Sequence, residues 1–174
     1  MSTAATRPRP RPLLGPSLRK TVVVVHVLAA GTWIGVDVIV AVLVLVGRFS
    51  SSLEVAGLAY QALGTFILVP MLTAGLVCTA SGVLLGLGTR WGLVRYRWVL
   101  VKLVISAVLC VLIVVALAPG MPGVVAHGET LAAGASSAAD MSNLFFPPAV
   151  SLVSLSFATV LAVVKPWGKV RRRR

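Results

Sequence analysis

The stretch TVVVVHVLAAGTWIGVDVIVAVLVLVG, residues 21–47, decides the fold class because it is almost entirely apolar. It is longer than the roughly 20 apolar residues that an α-helix needs to cross a hydrocarbon core of about 30 Å. It also carries His26, Trp33 and Asp37. An ionisable side chain in lipid costs free energy unless water, a partner or a ligand compensates it. The stretch therefore predicts a membrane-spanning helix with two ionisable groups that need compensation.

The composition of the whole chain agrees with this interpretation. Its 174 residues are 58% hydrophobic and 11% charged, with a mean hydropathy of +1.00, whereas soluble domains carry about 25% charged residues. We predict an all-α polytopic membrane protein, an antiparallel bundle with transmembrane helices at about residues 21–47, 55–88, 98–118 and 145–165. Pro70 interrupts the second helix, which we expect to kink, tilt or project beyond the lipid. The first helix is too long for a signal peptide, whose apolar region has roughly 7–15 residues.

The basic residues are distributed in a way that predicts the orientation. Five precede the first predicted helix, three lie between the second and third, and six stand at or after the end of the fourth. The other two connections carry only Arg48 with Glu54, and Glu129 with Asp140. This positive-inside pattern predicts that both termini lie in the cytoplasm. The net charge of +12 then reflects topology and contact with the lipid bilayer, not nucleic acid. Residues 1–20 and 166–174 are expected to be basic cytoplasmic tails, the first disordered.

Two further patterns concern packing. Residues 119–144 form the longest connection, and their Gly, Ala and Ser content favours a flexible loop, with a short surface helix over ETLAAGASSAADM as an alternative. Gly31 with Gly35, and Gly82 with Gly86, form G-x-x-x-G pairs, which allow helix backbones to approach closely in lipid. The pairs do not distinguish a contact within the chain from a homo-oligomer or a membrane-protein partner.

The polar residues of the first helix lie in a stripe. At about 100° per residue, His26, Trp33 and Asp37 fall within roughly 20° of one line, with Asp37 about 16 Å further along the axis than His26. Lys102 lies near the cytoplasmic end of the third helix, at a depth in the membrane similar to that of His26. The two residues are therefore expected to meet. Gln61 adds a polar group to the second helix. The alternatives are that Lys102 extends to the interface, that His26 only bonds a neighbouring helix, that Asp37 is hydrated, and that Trp33 only packs.

Two short motifs resemble a broad bacterial superfamily of membrane proteins. His26, Trp33 and Gly35 in HVLAAGTWIG match its first-helix pattern, and Trp98 with Lys102 in RWVLVKLVIS match its W-x-x-x-K pattern. The superfamily includes copper-resistance D-type proteins, haem-dependent membrane protoporphyrinogen oxidases, and many uncharacterised four-helix proteins common in actinobacteria, which this chain resembles most. The resemblance implies a location in the bacterial cytoplasmic (inner) membrane. From the oxidase branch it also implies functional roles for His26 and Lys102.

Three functional interpretations stay open. Helix packing and the lack of a catalytic constellation favour a structural or accessory bundle. The resemblance and the polar stripe favour a haem- or porphyrin-binding protein with His26 as ligand, alone or with Lys102, Met71 or water, and with Trp33 beside it. The Pro70 break and Asp37 favour a small transport or copper-handling component. No metal-ligand spacing is present, so we predict no metal site, and Cys78 and Cys110 are interpreted as unpaired apolar fillers.

Overall fold

The computed structural model describes residues 14–88, 97–136 and 139–164, and all the regular structure in these ranges is helical. The prediction of an all-α fold is confirmed for this part of the chain. The α-helices are α1 (Pro16–Phe49), α2 (Leu53–Phe66), α3 (Leu68–Gly88), α4 (Arg97–Leu112), α5 (Met121–Ala132) and α6 (Phe146–Val164). A π-helical turn, Ile113–Leu117, and a 3-10 turn, Ala118–Gly120, join α4 to α5, and a 3-10 turn, Ser142–Phe145, precedes α6.

Four helical segments are long and apolar enough to cross a membrane, as predicted: Pro16–Phe49, Leu68–Gly88, Arg97–Ala132 and Ser142–Val164. The first begins earlier than expected, because Pro16 stands in its first turn, where the missing N–H of proline removes no helical bond. Residues 16–20 of the predicted disordered tail are therefore helical. Residues 1–13 of that tail, and the tail 166–174, lie outside the described residues.

The predicted second helix, residues 55–88, is broken into α2 and α3 at Ile67. Pro70 accounts for the break: it has no N–H to bond the carbonyl of Phe66, and its ring clashes with that carbonyl. The regular bonding resumes one residue later, where Met71 N–H donates to the carbonyl of Ile67 at 3.1 Å. The sequence left a kink, a tilt or a projection open for this helix, and the structure shows a break of one residue, Ile67, between α2 and α3.

The expectation of a flexible loop over residues 119–144 was wrong in its first half, where α5 forms and packs against α2. Glycines allow this contact. A Cβ on Gly57 would lie 2.5 Å from the carbonyl oxygen of Gly128, and one on Gly64 would lie 2.9 Å from that of Met121. The backbones of the two helices therefore touch directly, and helix α5 is stabilised by a neighbour that local composition does not reveal.

The contacts of α1 place the long helices side by side. Gly47 near the end of α1 meets the ring of Tyr60 in α2, Trp33 meets Gly75 in α3, and His26 meets Gly82. Later residues of α2 and α3 thus meet earlier residues of α1. Helix α4 packs against α3, and α6 packs against α1 and α4. The buried core along these contacts includes Trp33, Val40 and Val44 of α1.

Candidate functional site

The polar stripe of α1 faces its helical neighbours, as its spacing predicts. Trp33 and Asp37 are both 0% exposed, whereas His26 is half-buried. The two flanking glycines, Gly31 and Gly35, are exposed, and a Cβ on either would meet nothing within 4 Å. The stripe therefore points into the described structure, and the first G-x-x-x-G pair points away from it.

His26 is anchored to α3 through one ring nitrogen. Its Nδ1 lies 3.0 Å from the carbonyl oxygen of Cys78 and 3.0 Å from the hydroxyl of Ser81. A carbonyl oxygen only accepts hydrogen bonds, so the bond to Cys78 requires the proton on Nδ1. In the neutral imidazole the other nitrogen, Nε2, then carries the lone pair. A histidine that binds a metal commonly donates its second ring N–H to a backbone carbonyl in this way.

A cavity of about 380 Å³ opens beside His26, and we call it the His26 cavity. Its wall also holds Lys102 and Ser106 of α4, so the structure brings His26 and Lys102 to one site. Arg19, one turn into α1, completes the basic part of the wall. No acidic residue lines the cavity in the described part of the chain, and its remaining surface is largely apolar. Such a site is electrostatically suited to an anion with an apolar body.

Lys102 is half-buried, and its Nζ lies 6.0 Å from the centre of the Trp98 ring, at the limit of a cation–π contact. Trp98 is one turn earlier in α4 and lines the same cavity. The lysine side chain thus extends towards the N-terminal end of α4, as that of an interfacial lysine would. It also forms part of the cavity wall. The two interpretations of Lys102 are therefore compatible in this structure.

Asp37 is buried and hydrogen-bonded to a residue of α6. Its Oδ2 accepts a hydrogen bond of 2.6 Å from the Ser151 hydroxyl of α6, whereas Oδ1 is buried with no hydrogen-bond partner among the described residues. Asp37 borders a second cavity of about 330 Å³, here called the Asp37 cavity, which Met71 also lines. Met71 does not line the His26 cavity, so the structure places these two residues, whose pairing as haem ligands the sequence left open, at different cavities.

Trp33 lies on α1 between the residues that border the two cavities. Its ring packs against α3 so closely that a Cβ on Gly75 would lie 3.1 Å from the ring and 3.1 Å from the Cys110 sulfur. Its indole nitrogen is buried without a hydrogen-bond partner among the described residues. Trp33 lines neither cavity, so its observed contacts are those of a packing residue.

Of the remaining predicted residues, Gln61 and Cys110 line neither cavity, whereas Cys78 lines the His26 cavity. Gln61 is half-buried on α2, where a Cβ on Gly128 would come within 3.0 Å of its side chain. Cys78 and Cys110 are free and buried, as expected. Burial raises the pKa of the Tyr60 phenol on α2, against the opposing effect of the Arg48 charge. The Tyr60 ring meets that of His127 edge-on, at 4.9 Å between centres.

Two members of the sites were not identified from the sequence. Arg19 was interpreted only as a topology signal, because a basic residue at the start of a span is common. Ser151 was one of several hydroxyls in the fourth helix, and most such hydroxyls bond their own helix, as Thr159 does to the carbonyl of Leu155 at 2.8 Å.

Comparison of the chain with family models, with curated proteins and with solved structures finds no match in any of the three.

Proposed function

We propose that the protein is a bacterial cytoplasmic membrane protein, an antiparallel bundle of four transmembrane helices, that binds haem or a related porphyrin in the His26 cavity. The single observation that carries the ligand is the bonding of His26. Its Nδ1 is held by the Cys78 carbonyl at 3.0 Å, and Nε2 is left with a lone pair in a residue that lines the cavity. Neutral imidazole in this tautomer is a common iron ligand in haem proteins.

The charges of the cavity support the same ligand. A porphyrin is a flat apolar ring with carboxylate side chains, and Lys102 and Arg19 supply two cations beside an otherwise largely apolar wall. The volume of about 380 Å³ lies at the lower end of the range for ligand sites. A porphyrin would therefore enter by one edge, with the rest of the ring outside the cavity. The resemblance of the His26 and Lys102 motifs to haem-dependent membrane proteins points in the same direction.

The membrane assignment rests on the outer surface of the helices. Large apolar side chains are exposed along every long helix, among them Val27, Leu28, Val104, Val153 and Val163. A soluble protein rarely exposes so much contiguous apolar surface, whereas lipid chains would cover it. The positive-inside distribution of charge supports cytoplasmic termini.

The test is an absorption spectrum of the purified protein, expressed with a haem precursor. We expect a Soret band in the wild-type protein, its loss in His26→Ala, and its retention in His127→Ala, which removes the other histidine of the chain. Lys102→Gln should weaken the binding of added ferric haem. Circular dichroism of each variant checks that the helices are intact. A colourless wild-type protein that also fails to bind added haem would contradict the proposal.

A structural or accessory role is the second candidate, and one observation favours it. Gly31 and Gly35 present a small-residue surface on the outside of α1 with nothing within 4 Å of either. A helix of a second copy, or of another membrane protein, would fit closely against such a surface. Cross-linking in membranes that depends on Gly31 and Gly35, together with a colourless wild-type protein, would favour this role over porphyrin binding.

A further inference from the structure

The described residues around the carboxyl group of Asp37 supply no counter-charge. It is the only acidic residue in α1, α3, α4 and α6 as the structure describes them. The described residues that line the Asp37 cavity include no Lys, Arg or His. The Ser151 hydroxyl bonds Oδ2, and Oδ1 has no partner in the described structure. A buried carboxylate with one neutral hydrogen bond carries a large desolvation cost, so a proton or a cation must compensate it.

The cavity beside Asp37 is large and apolar. It has a volume of about 330 Å³, and apart from Asp37 its polar lining residues are Asn143 and Ser151. The apolar wall includes Met71 of α3, Leu109 of α4 and Phe146 of α6. A proton or a bare metal ion would leave this space unused. Among the described residues no three His, Cys, Asp or Glu side chains come together to hold a metal ion.

Two helical segments beside this cavity depart from regular α-helical geometry at its level. Helix α3 begins after the Ile67 break, and Met71 of its first turn lines the cavity. The π-helical turn Ile113–Leu117, which follows α4, also lines the cavity. Pro119 comes after this turn and has no N–H to donate to the Val115 carbonyl. Short π-helical turns occur often at functional sites. In membrane proteins, interrupted helices mark binding sites.

We infer that the Asp37 cavity binds a monocationic ligand with an apolar body, of the alkylammonium class, with the Asp37 carboxylate as its counter-charge. The apolar body fills the space between α3, α4 and α6, and the charge neutralises the otherwise uncompensated carboxylate. This site is separate from the porphyrin site, because the two cavities share no lining residue among those described.

The experiment uses hexylammonium as the probe and the full-length protein in lipid nanodiscs. Calorimetry measures its binding at neutral pH, with empty nanodiscs to subtract partition into lipid and hexanol as the uncharged probe of similar shape. We expect saturable binding of hexylammonium, weakened by about tenfold or more in Asp37→Asn, with little binding of hexanol. Asp140→Asn is the matched control, since Asp140 is exposed and lies outside the cavity.

A second variant covers the case in which Asp37→Asn does not fold. Ala116 lines the cavity and is exposed, so Ala116→Phe should narrow the cavity and weaken hexylammonium binding while Asp37 is retained. Equal binding of hexylammonium by the wild-type protein and Asp37→Asn would overturn the proposal. So would the absence of saturable binding together with an infrared carbonyl band of a protonated Asp37, because a proton alone would then compensate the carboxyl group. His26→Ala should bind hexylammonium like the wild-type protein. The porphyrin proposal and the alkylammonium proposal can therefore fail independently, and the two experiments distinguish them.

Discussion

At the scale of the residue, each ionisable group of the α1 stripe is hydrogen-bonded by a different helix. His26 bonds the Cys78 carbonyl and the Ser81 hydroxyl of α3, and Asp37 accepts a bond from Ser151 of α6. The spacing of the stripe predicted that these groups face inward. It could not predict Ser151, which is 114 residues away in sequence, because neither the rotation of α6 about its axis nor its height beside α1 can be read from an apolar sequence.

Removing the Ser151 hydroxyl tests its hydrogen bond to Asp37. In Ser151→Ala the carboxyl group of Asp37 loses its one hydrogen bond, and we expect the free energy of unfolding to fall by about 1 kcal/mol or somewhat more. Thermal unfolding in detergent measures the change. Ser154→Ala, in the half-buried position three residues further along α6, is the control and should change stability less. Equal effects of the two substitutions would show that the bond contributes nothing specific.

At the scale of the element, apolar length predicted the four long segments, and Pro70 predicted the break in the second. Helix α5 was missed. Its sequence contains two glycines, Gly123 and Gly128, and Pro122, which locally favour a loop over a helix. What stabilises it is the contact with α2, where the missing side chains of Gly57 and Gly128 let the backbones touch. Local composition indicates intrinsic preference only, and here a distant neighbour overrides it.

The two glycines of α5 provide a matched test of that contact. A Cβ on Gly128 would lie 2.6 Å from the carbonyl oxygen of Gly57, whereas one on Gly123 would meet nothing within 4 Å. We expect Gly128→Ala to lower stability by about 1–3 kcal/mol through steric overlap of two backbones. Gly123→Ala should be neutral or slightly stabilising, since alanine favours helix over glycine. Melting temperatures measure both, and a neutral Gly128→Ala would mean that α2 and α5 are not in close contact.

At the scale of the whole molecule, the two cavities differ in charge and in place. The His26 cavity has Arg19 and Lys102 in its wall, and the Asp37 cavity has a carboxyl group and no basic residue among those described. The depth argument predicted that His26 and Lys102 would meet, and the structure places both at one cavity. The cavities themselves were not predictable, because a cavity depends on how three or four helices pack together. No pattern in the sequence of a single helix indicates it.

Cysteine labelling tests the proposed orientation. Cys78 and Cys110 are first replaced by alanine, and Ser17→Cys and Ser51→Cys then introduce single thiols at exposed positions near opposite ends of α1. With cytoplasmic termini, a membrane-impermeant maleimide added to intact bacteria should label Ser51→Cys at once and Ser17→Cys only after lysis. The reverse pattern would invert the topology, and labelling of both in intact cells would mean that α1 does not cross the membrane.

The α2–α5 contact also bears on the order in which the chain is made. Helix α2 follows the first apolar segment, and its close partner α5 lies at the end of the third, at Met121–Ala132. While the ribosome is still synthesising the first two apolar segments, α5 is not yet available to pack against the α2 surface at Gly57. The nascent chain therefore carries an uncovered glycine surface on α2 until residue 132 has been added. Closure of that surface is a late event in biosynthesis, and it joins the first half of the polypeptide to the second.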